Sequence, residues 1–208
     1  MIGDSLEVLW TWTPFLLEGL YWNVVITLLA TMLGTCVGGV LAVLHLSPSR
    51  FIARGVGFVV SVFRNVPSLV LLFYAATLIP NQIDLGGTIV NIPDWLKASI
   101  ALAASPTGFT ALNLHTSILY WRQGQRRAAM LFIPNWLGGL MITLLASSTA
   151  SLVGVSELVG QCNTVIAATG TTYLVPIYVY ALCLFFALCY PLSLALGGLK
   201  RHMAAKYA

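Results

Sequence analysis

Five long apolar runs alternate with short polar connections along this chain, at residues 20–45, 55–79, 97–119, 128–153 and 173–198. A helix rises about 1.5 Å per residue, so roughly 20 apolar residues cross a hydrocarbon layer about 30 Å thick. The pattern predicts an all-α membrane protein, a single domain over residues 1–208 with five transmembrane helices. The first run opens on Tyr21 and Trp22, aromatic residues suited to the membrane interface. It holds Gly34 and Gly38 at a spacing that lets a second helix come close. Ser47-Pro48-Ser49-Arg50 is a turn. The second run is broken at Phe63-Arg64-Asn65-Val66-Pro67, because Pro67 cannot continue a helical ladder. It is expected as an interfacial or slanted helix before Arg64, then a span running outward. Residues 80–96, with Pro80, Gly86, Gly87 and Pro93, read as a loop. The third run is the most polar, passing through Pro106, Thr107, Gly108, Asn113 and His115. The fourth ends in Ser147-Ser148-Thr149, residues 154–172 form a second loop, and the fifth run closes on Gly197-Gly198. No internal repeat is visible.

Charge orients these runs. Asp4, Glu7, Glu18, Asp84, Asp94 and Glu157, all six acids, fall before the first run or in alternate connections. Arg50, Arg54, Arg122, Arg126, Arg127, Lys200, Arg201 and Lys206 fall in the other connections and the tail, with Arg64 at the edge of a run and Lys97 alone out of place. Basic residues in short loops stay in the cytoplasm, so the N-terminus is expected in the periplasm and the C-terminus in the cytoplasm. Five spans, an odd number, agree with that. With 59% hydrophobic and 8% charged residues, the chain is solvated by lipid and leaves no room for a soluble domain. Its net charge of +4 then belongs to the cytoplasmic lipid face, and no nucleic-acid partner is expected. The acidic start argues against a cleavable signal peptide. Cys36, Cys162, Cys183 and Cys189 lack metal-ligand spacing and read as buried free thiols. No metal site, paired intramembrane carboxylates or phosphate-binding loop is present in the sequence, so the chain is not expected to be an enzyme or to bind ATP itself.

Polar side chains inside the runs are the remaining source of function, since they are costly in hydrocarbon. Arg64 either lines a solute path or snorkels to cytoplasmic water. Asn65 stands beside it at the break. Asn113 and His115 either meet a polar solute or join helices. Ser147, Ser148 and Thr149 are path candidates whose default is to bond back to their own helix. Glu157 is expected to cap a short helix rather than transfer protons. Pro67, Gly154 and Glu157 are taken as structural positions.

The order of these pieces resembles the membrane-spanning permease subunit of bacterial ABC importers of the polar amino-acid type. Leu17-Glu18-Gly19-Leu20, Thr27-Leu28 and Gly34 to Ala42 look like that family's first span. Phe63-Arg64-Asn65-Val66-Pro67 resembles its Phe-Arg-Gly-Thr-Pro signature. Ile133-Pro134-Asn135, Ser151-Leu152-Val153-Gly154-Val155-Ser156-Glu157-Leu158 and Tyr178 to Leu199 follow in the family's order, so the resemblance covers about residues 17–202. It implies a type I importer-like permease, multi-pass in the bacterial inner membrane. A second permease subunit (or a second copy), an ATPase dimer carrying ATP and Mg, and a periplasmic solute-binding protein are the implied partners.

Departures from the family are as informative. Its cytoplasmic Glu-Ala-Ala loop, which docks on the ATPase, corresponds to Gly124-Gln125-Arg126-Arg127-Ala128-Ala129, with Arg127 where the Glu belongs and the later half missing. Asn113 stands where the family often has Glu, and Leu145-Ala146 replaces a Lys-Asp pair. Such losses suggest the degenerate half of a heterodimeric permease for an amino acid or related small solute. The rival expectation is a non-transporting scaffold or assembly subunit that kept the fold. An ion-coupled carrier is weaker, for want of an intramembrane Asp or Glu.

Overall fold

A computed structural model describes residues 2–84 and 86–206. The first apolar run belongs to a longer helix, α1 (Ile2–His45), which takes in Pro14 and extends about 66 Å. After a turn come α2 (Arg50–Asn65) and α3 (Ser68–Leu78), set at 94° to each other. Val66, between them, is extended (φ −78°, ψ 124°), as a residue before proline prefers. The 80–96 segment is more ordered than a plain loop. In it β1 (Gln82–Asp84) and β2 (Ile89–Asn91) pair antiparallel, Ile83 opposite Val90. Gly86 and Gly87 supply the two positive φ angles of the hairpin's turn, and Gly87 N–H donates to Asp84 Oδ1 at 2.7 Å.

The third run is divided into α4 (Asp94–Leu102) and α5 (Ala104–Arg122), joined through Ala103. Next come a short α6 (Arg126–Met130) and α7 (Phe132–Ser147). The fourth run stops as regular helix at Ser147, six residues before its apolar stretch ends. Ser147, Ser148 and Thr149 all bond to carbonyls three residues back, which tightens the chain into a 3₁₀ turn at Ala150–Val153. Gly154, at φ +91°, ends that turn. The second loop contains α8 (Leu158–Thr169), and α9 (Leu174–Lys206) completes the chain.

Among the described residues, three stretches are long and apolar enough to cross a membrane: Asp4–His45, Arg126–Ser147 and Thr171–Met203. The bent α2–α3 pair makes a fourth if counted as one span. The expectation of five is therefore not met by length and composition alone. The shortfall lies in α5, where Ser105, Thr107, Thr110, Asn113, His115 and Thr116 dilute the apolar character.

Close packing holds α5 to α1. A Cβ on Gly34 would come within 2.8 Å of Ala103 O, and one on Gly38 within 2.5 Å of Thr107 O, so the two backbones meet where only hydrogen fits. The helices run parallel, with Trp22 stacked on Trp95 of α4 toward one end (6.0 Å) and His45 tilted against His115 at the other (4.3 Å). One core joins Ile26 and Ala30 of α1 to Leu72 of α3, Leu102 of α4 and Val153. A second joins Leu16 to Cys162 and Val165 of α8 and to Ile177 of α9. Of the four thiols only Cys162 is buried, and Cys36 and Cys183 are exposed, contrary to the sequence expectation. An apolar helix leaves many of its faces open to lipid, so apolarity alone does not bury a cysteine.

Candidate functional site

The first cluster forms at the break between α2 and α3. Gly57 lies against the His45 imidazole, and Arg64, seven residues on, lies against Gly108, the neighbour of the Thr107 that meets Gly38. Hence α2 climbs along α1 from its His45 end to the level of Gly38, about 10 Å away. It is not confined to the end of the bundle, as an interfacial helix would be. Gly108 permits this contact, since a Cβ there would sit 2.8 Å from Arg64 Cγ and 3.0 Å from its N. The guanidinium of Arg64 is exposed and, among the described residues, makes no hydrogen bond or ion pair. Asn65 is also exposed, and its amide is spent locally, donating to Ser61 O at 2.8 Å.

A second cluster is buried and joins α1, α7 and α8. Asn23, Ser147 and Glu157 are each 0% exposed. Asn23 Nδ2 donates to Ser147 Oγ and to Glu157 Oε2, both at 3.0 Å, while its Oδ1 accepts from Leu158 N–H at 3.1 Å. Glu157 occupies the N-cap of α8 and accepts from Val159 N–H (3.1 Å) and Gly160 N–H (3.2 Å). Gln161 N–H reaches Glu157 O at 2.8 Å, so the first four amides of α8 all find partners. Burial pushes the Glu157 carboxyl above its ordinary range, against the pull of those amides and of Asn23. Beneath it, burial and the nearby Glu157 push the Cys162 thiol up to about 11, which leaves it unreactive.

Other predicted residues are scattered. Ser148 and Thr149 are half-buried, each hydroxyl donating to its own helix, to Leu145 O and Ala146 O. Asn113 donates to Phe109 O at 2.9 Å and accepts from Asn135 Nδ2 at 3.5 Å, a link between α5 and α7. In the 124–129 segment Gly124 turns the chain at φ +77°, Arg126 lies over the Trp121 ring at 5.6 Å, and Ser117 Oγ donates to Ala129 O at 2.6 Å. The five residues of α6 lead through Leu131 directly into α7, and Gln125, Arg126, Arg127 and Ala128 are exposed or half-buried there.

Two residues escaped the sequence reading. Asn23 is the lone carboxamide of the first run, which was the available signal. Lys97, the one cation out of place, is 2% exposed, pairs with Asp94 at 3.3 Å and donates to Asn81 Oδ1. It ties α4 to the start of the hairpin, beside a cleft of about 270 Å³ lined by Trp22, Asp94, Trp95 and Gly154 to Ser156. Among the described residues, no group of three or more His, Cys, Asp or Glu is placed to hold a metal.

No family model and no curated protein matches this chain. Solved structures do. A chain of an amino acid ABC transporter crystallised with histidines aligns over 92% of this chain and 95% of its own, with a TM-score of 0.75 and 22% identity. A chain of the MetNI methionine ABC transporter in inward-facing conformations aligns over 90% and 95%, with a TM-score of 0.59 and 20% identity. Near-complete coverage in both directions means that the overall architecture is shared. The chain has the permease-type fold of ABC importers.

Proposed function

We propose that this chain is the transmembrane subunit of an ATP-driven importer, forming half of the translocation path for an amino acid or related small polar solute. The observation that carries this reading is Arg64, an exposed cation without a partner among the described residues, set deep along α1 at a helix break. A guanidinium at membrane depth is costly unless it faces a polar route or ligand. In this reading the path is lined by Arg64, Asn65, Asn113, Ser148 and Thr149, with Ser147 behind them. A second permease, better endowed with charge, faces it in a heterodimer. The α2–α3 unit would face that partner, since Phe58, Phe73 and Tyr74 leave it broadly apolar and exposed. The bundle crosses the inner membrane five times with its N-terminus in the periplasm, where a solute-binding protein delivers cargo. Gly124 to Ala129 is the contact with an ATPase dimer, which holds ATP and Mg. Because α6 has only five residues, this contact is shallow, and the partner permease carries the stronger one.

The test is ATP-dependent solute uptake by vesicles holding the partner permease and ATPase, with and without this chain. Uptake that requires the chain, and falls about tenfold or more in R64A at equal expression, supports the reading. Uptake unaffected by omitting the chain would favour a scaffold, and normal uptake by R64A would remove Arg64 from the path.

A further inference from the structure

Of the path candidates near the α7–α8 joint, Ser147 bonds directly to one carboxamide outside that joint. Ser147 ends α7, and Glu157 starts α8; between them lie a 3₁₀ turn and Gly154 in the left-handed region. Nothing in those nine residues is regular enough to fix the joint by itself. Asn23, on α1, closes it by bonding to Ser147, Glu157 and Leu158 at once.

Chemistry selects the amide. A carboxamide offers two N–H donors and two acceptor lone pairs, and this one uses both donors and one lone pair. Its orientation follows from its partners. Leu158 N–H can only donate, so Oδ1 must face it, while the Glu157 oxygen already taking Val159 N–H can only accept. Ser147 gives its own proton to Leu144 O, leaving lone pairs for Asn23 Nδ2. Ser and Thr are too short to reach three partners, and a carboxylate at position 23 would face Glu157 with like charge.

We infer that Asn23 is a positioning residue for transport, locking α1, α7 and α8 into one unit that sets where the Ser148 and Thr149 hydroxyls stand in the path. This rests on the transport reading above. Asn23 itself is fully buried and touches no solute; it acts through Ser147, whose backbone leads into Ser148 and Thr149. Thr27, one turn along α1, is itself buried and donates to the backbone O of Asn23 at 2.7 Å.

Uptake kinetics and amide exchange test this together. N23A should raise the KM for uptake about tenfold while maximal rate falls by less than about threefold, because three buried hydrogen bonds are lost at a site that holds solute contacts. N23D supplies a readout that a merely structural role would not move. A protonated Asp can donate to Glu157 and accept from Leu158, so N23D uptake relative to wild type should climb as external pH drops from about 8 to about 6. Glu157 is the carboxyl facing it; Cys162 on α8 and Tyr178 on α9 are the other titratable neighbours coupled to Glu157. A KM within about twofold of wild type in N23A, or an N23D profile parallel to that of wild type, overturns the inference. If N23A fails to reach the membrane, S147A deletes one hydroxyl, the acceptor from Asn23 and the donor to Leu144 O, and is expected to raise KM about threefold; an unchanged KM overturns the inference equally. Absent uptake in wild type would instead defeat the transport reading. The lock is then read alone: N23A or S147A should speed exchange at Leu158 and Val159 about tenfold relative to α5, and equal exchange removes it.

Discussion

At the scale of single residues, missing atoms matter as much as those present. Gly34, Gly38 and Gly108 each mark a place where another backbone or an arginine stem occupies the volume of a Cβ. Gly39, next in sequence to Gly38, meets nothing within 4 Å. Gly38→Ala should therefore cost about 1–3 kcal/mol through overpacking against Thr107 O, a backbone atom that cannot swing aside. Gly39→Ala should leave stability unchanged or slightly raised, because alanine favours helix. Thermal unfolding of the detergent-solubilised protein compares them, and equal midpoints for both variants would disprove the close α1–α5 seam. The spacing of Gly34 and Gly38 was legible in the sequence, but which face of α1 they share, and that Gly39 lies off it, depends on where α5 sits.

Among the elements, the two joints carry the function proposed above, and both arise from local chemistry. Pro67 forces its predecessor out of helix and yields the 94° break; the run Ser147-Ser148-Thr149, with three hydroxyls bonding backwards, narrows α7 into a 3₁₀ turn that Gly154 then ends. Gly154 is the element-scale test. Its φ of +91° is strained for any L side chain, and a Cβ there would press on Asp94 Oδ2 at 3.3 Å. Gly154→Ala should lower stability by about 1–2 kcal/mol, whereas Gly138→Ala, in the open interior of α7, should not lower it. The same unfolding measurement decides, and a Gly154→Ala variant as stable as wild type would show that the turn tolerates another geometry. Sequence reasoning located the break at Pro67 and placed a boundary at Gly154, but kept Ser147 to Thr149 inside the fourth span. It did not find the ends of the elements, since α1 runs back to Ile2 and α7 stops at Ser147, because helix ends depend on what covers the freed amides and carbonyls.

For the whole molecule, the separation of charge sets the expected orientation. A lone cysteine at Gly86, in the hairpin, should label with an impermeant maleimide from the periplasmic side once Cys36, Cys162, Cys183 and Cys189 are replaced. One at Gln123 should label only after the cytoplasmic face is opened. The reverse pattern would overturn the orientation and, with it, the assignment of residues 124–129 to an ATPase contact. The hairpin and Gln123 are separated by the length of α4 and α5, roughly 40 Å of helix, enough to put them on opposite sides of a bilayer.

What the sequence determined by itself is the class of the molecule. Apolar runs can be solvated only by lipid, helices are the way such runs satisfy their backbones there, and basic residues choose the side. Breaks at Pro67 and Gly154 were likewise readable, because proline and glycine act on their own backbone. The tertiary structure alone decided which polar residues act together. Asn23 and Glu157 are far apart in the chain, and their pairing exists only because Gly19 lets α8 settle onto α1 while Ser147 arrives from α7. Lys97 was visible as a misplaced charge, but its burial against Asp94 and Asn81 required α4 to fold beneath the hairpin. Hydropathy is a property of each residue in turn, whereas a buried hydrogen bond needs two groups that sequence distance says nothing about.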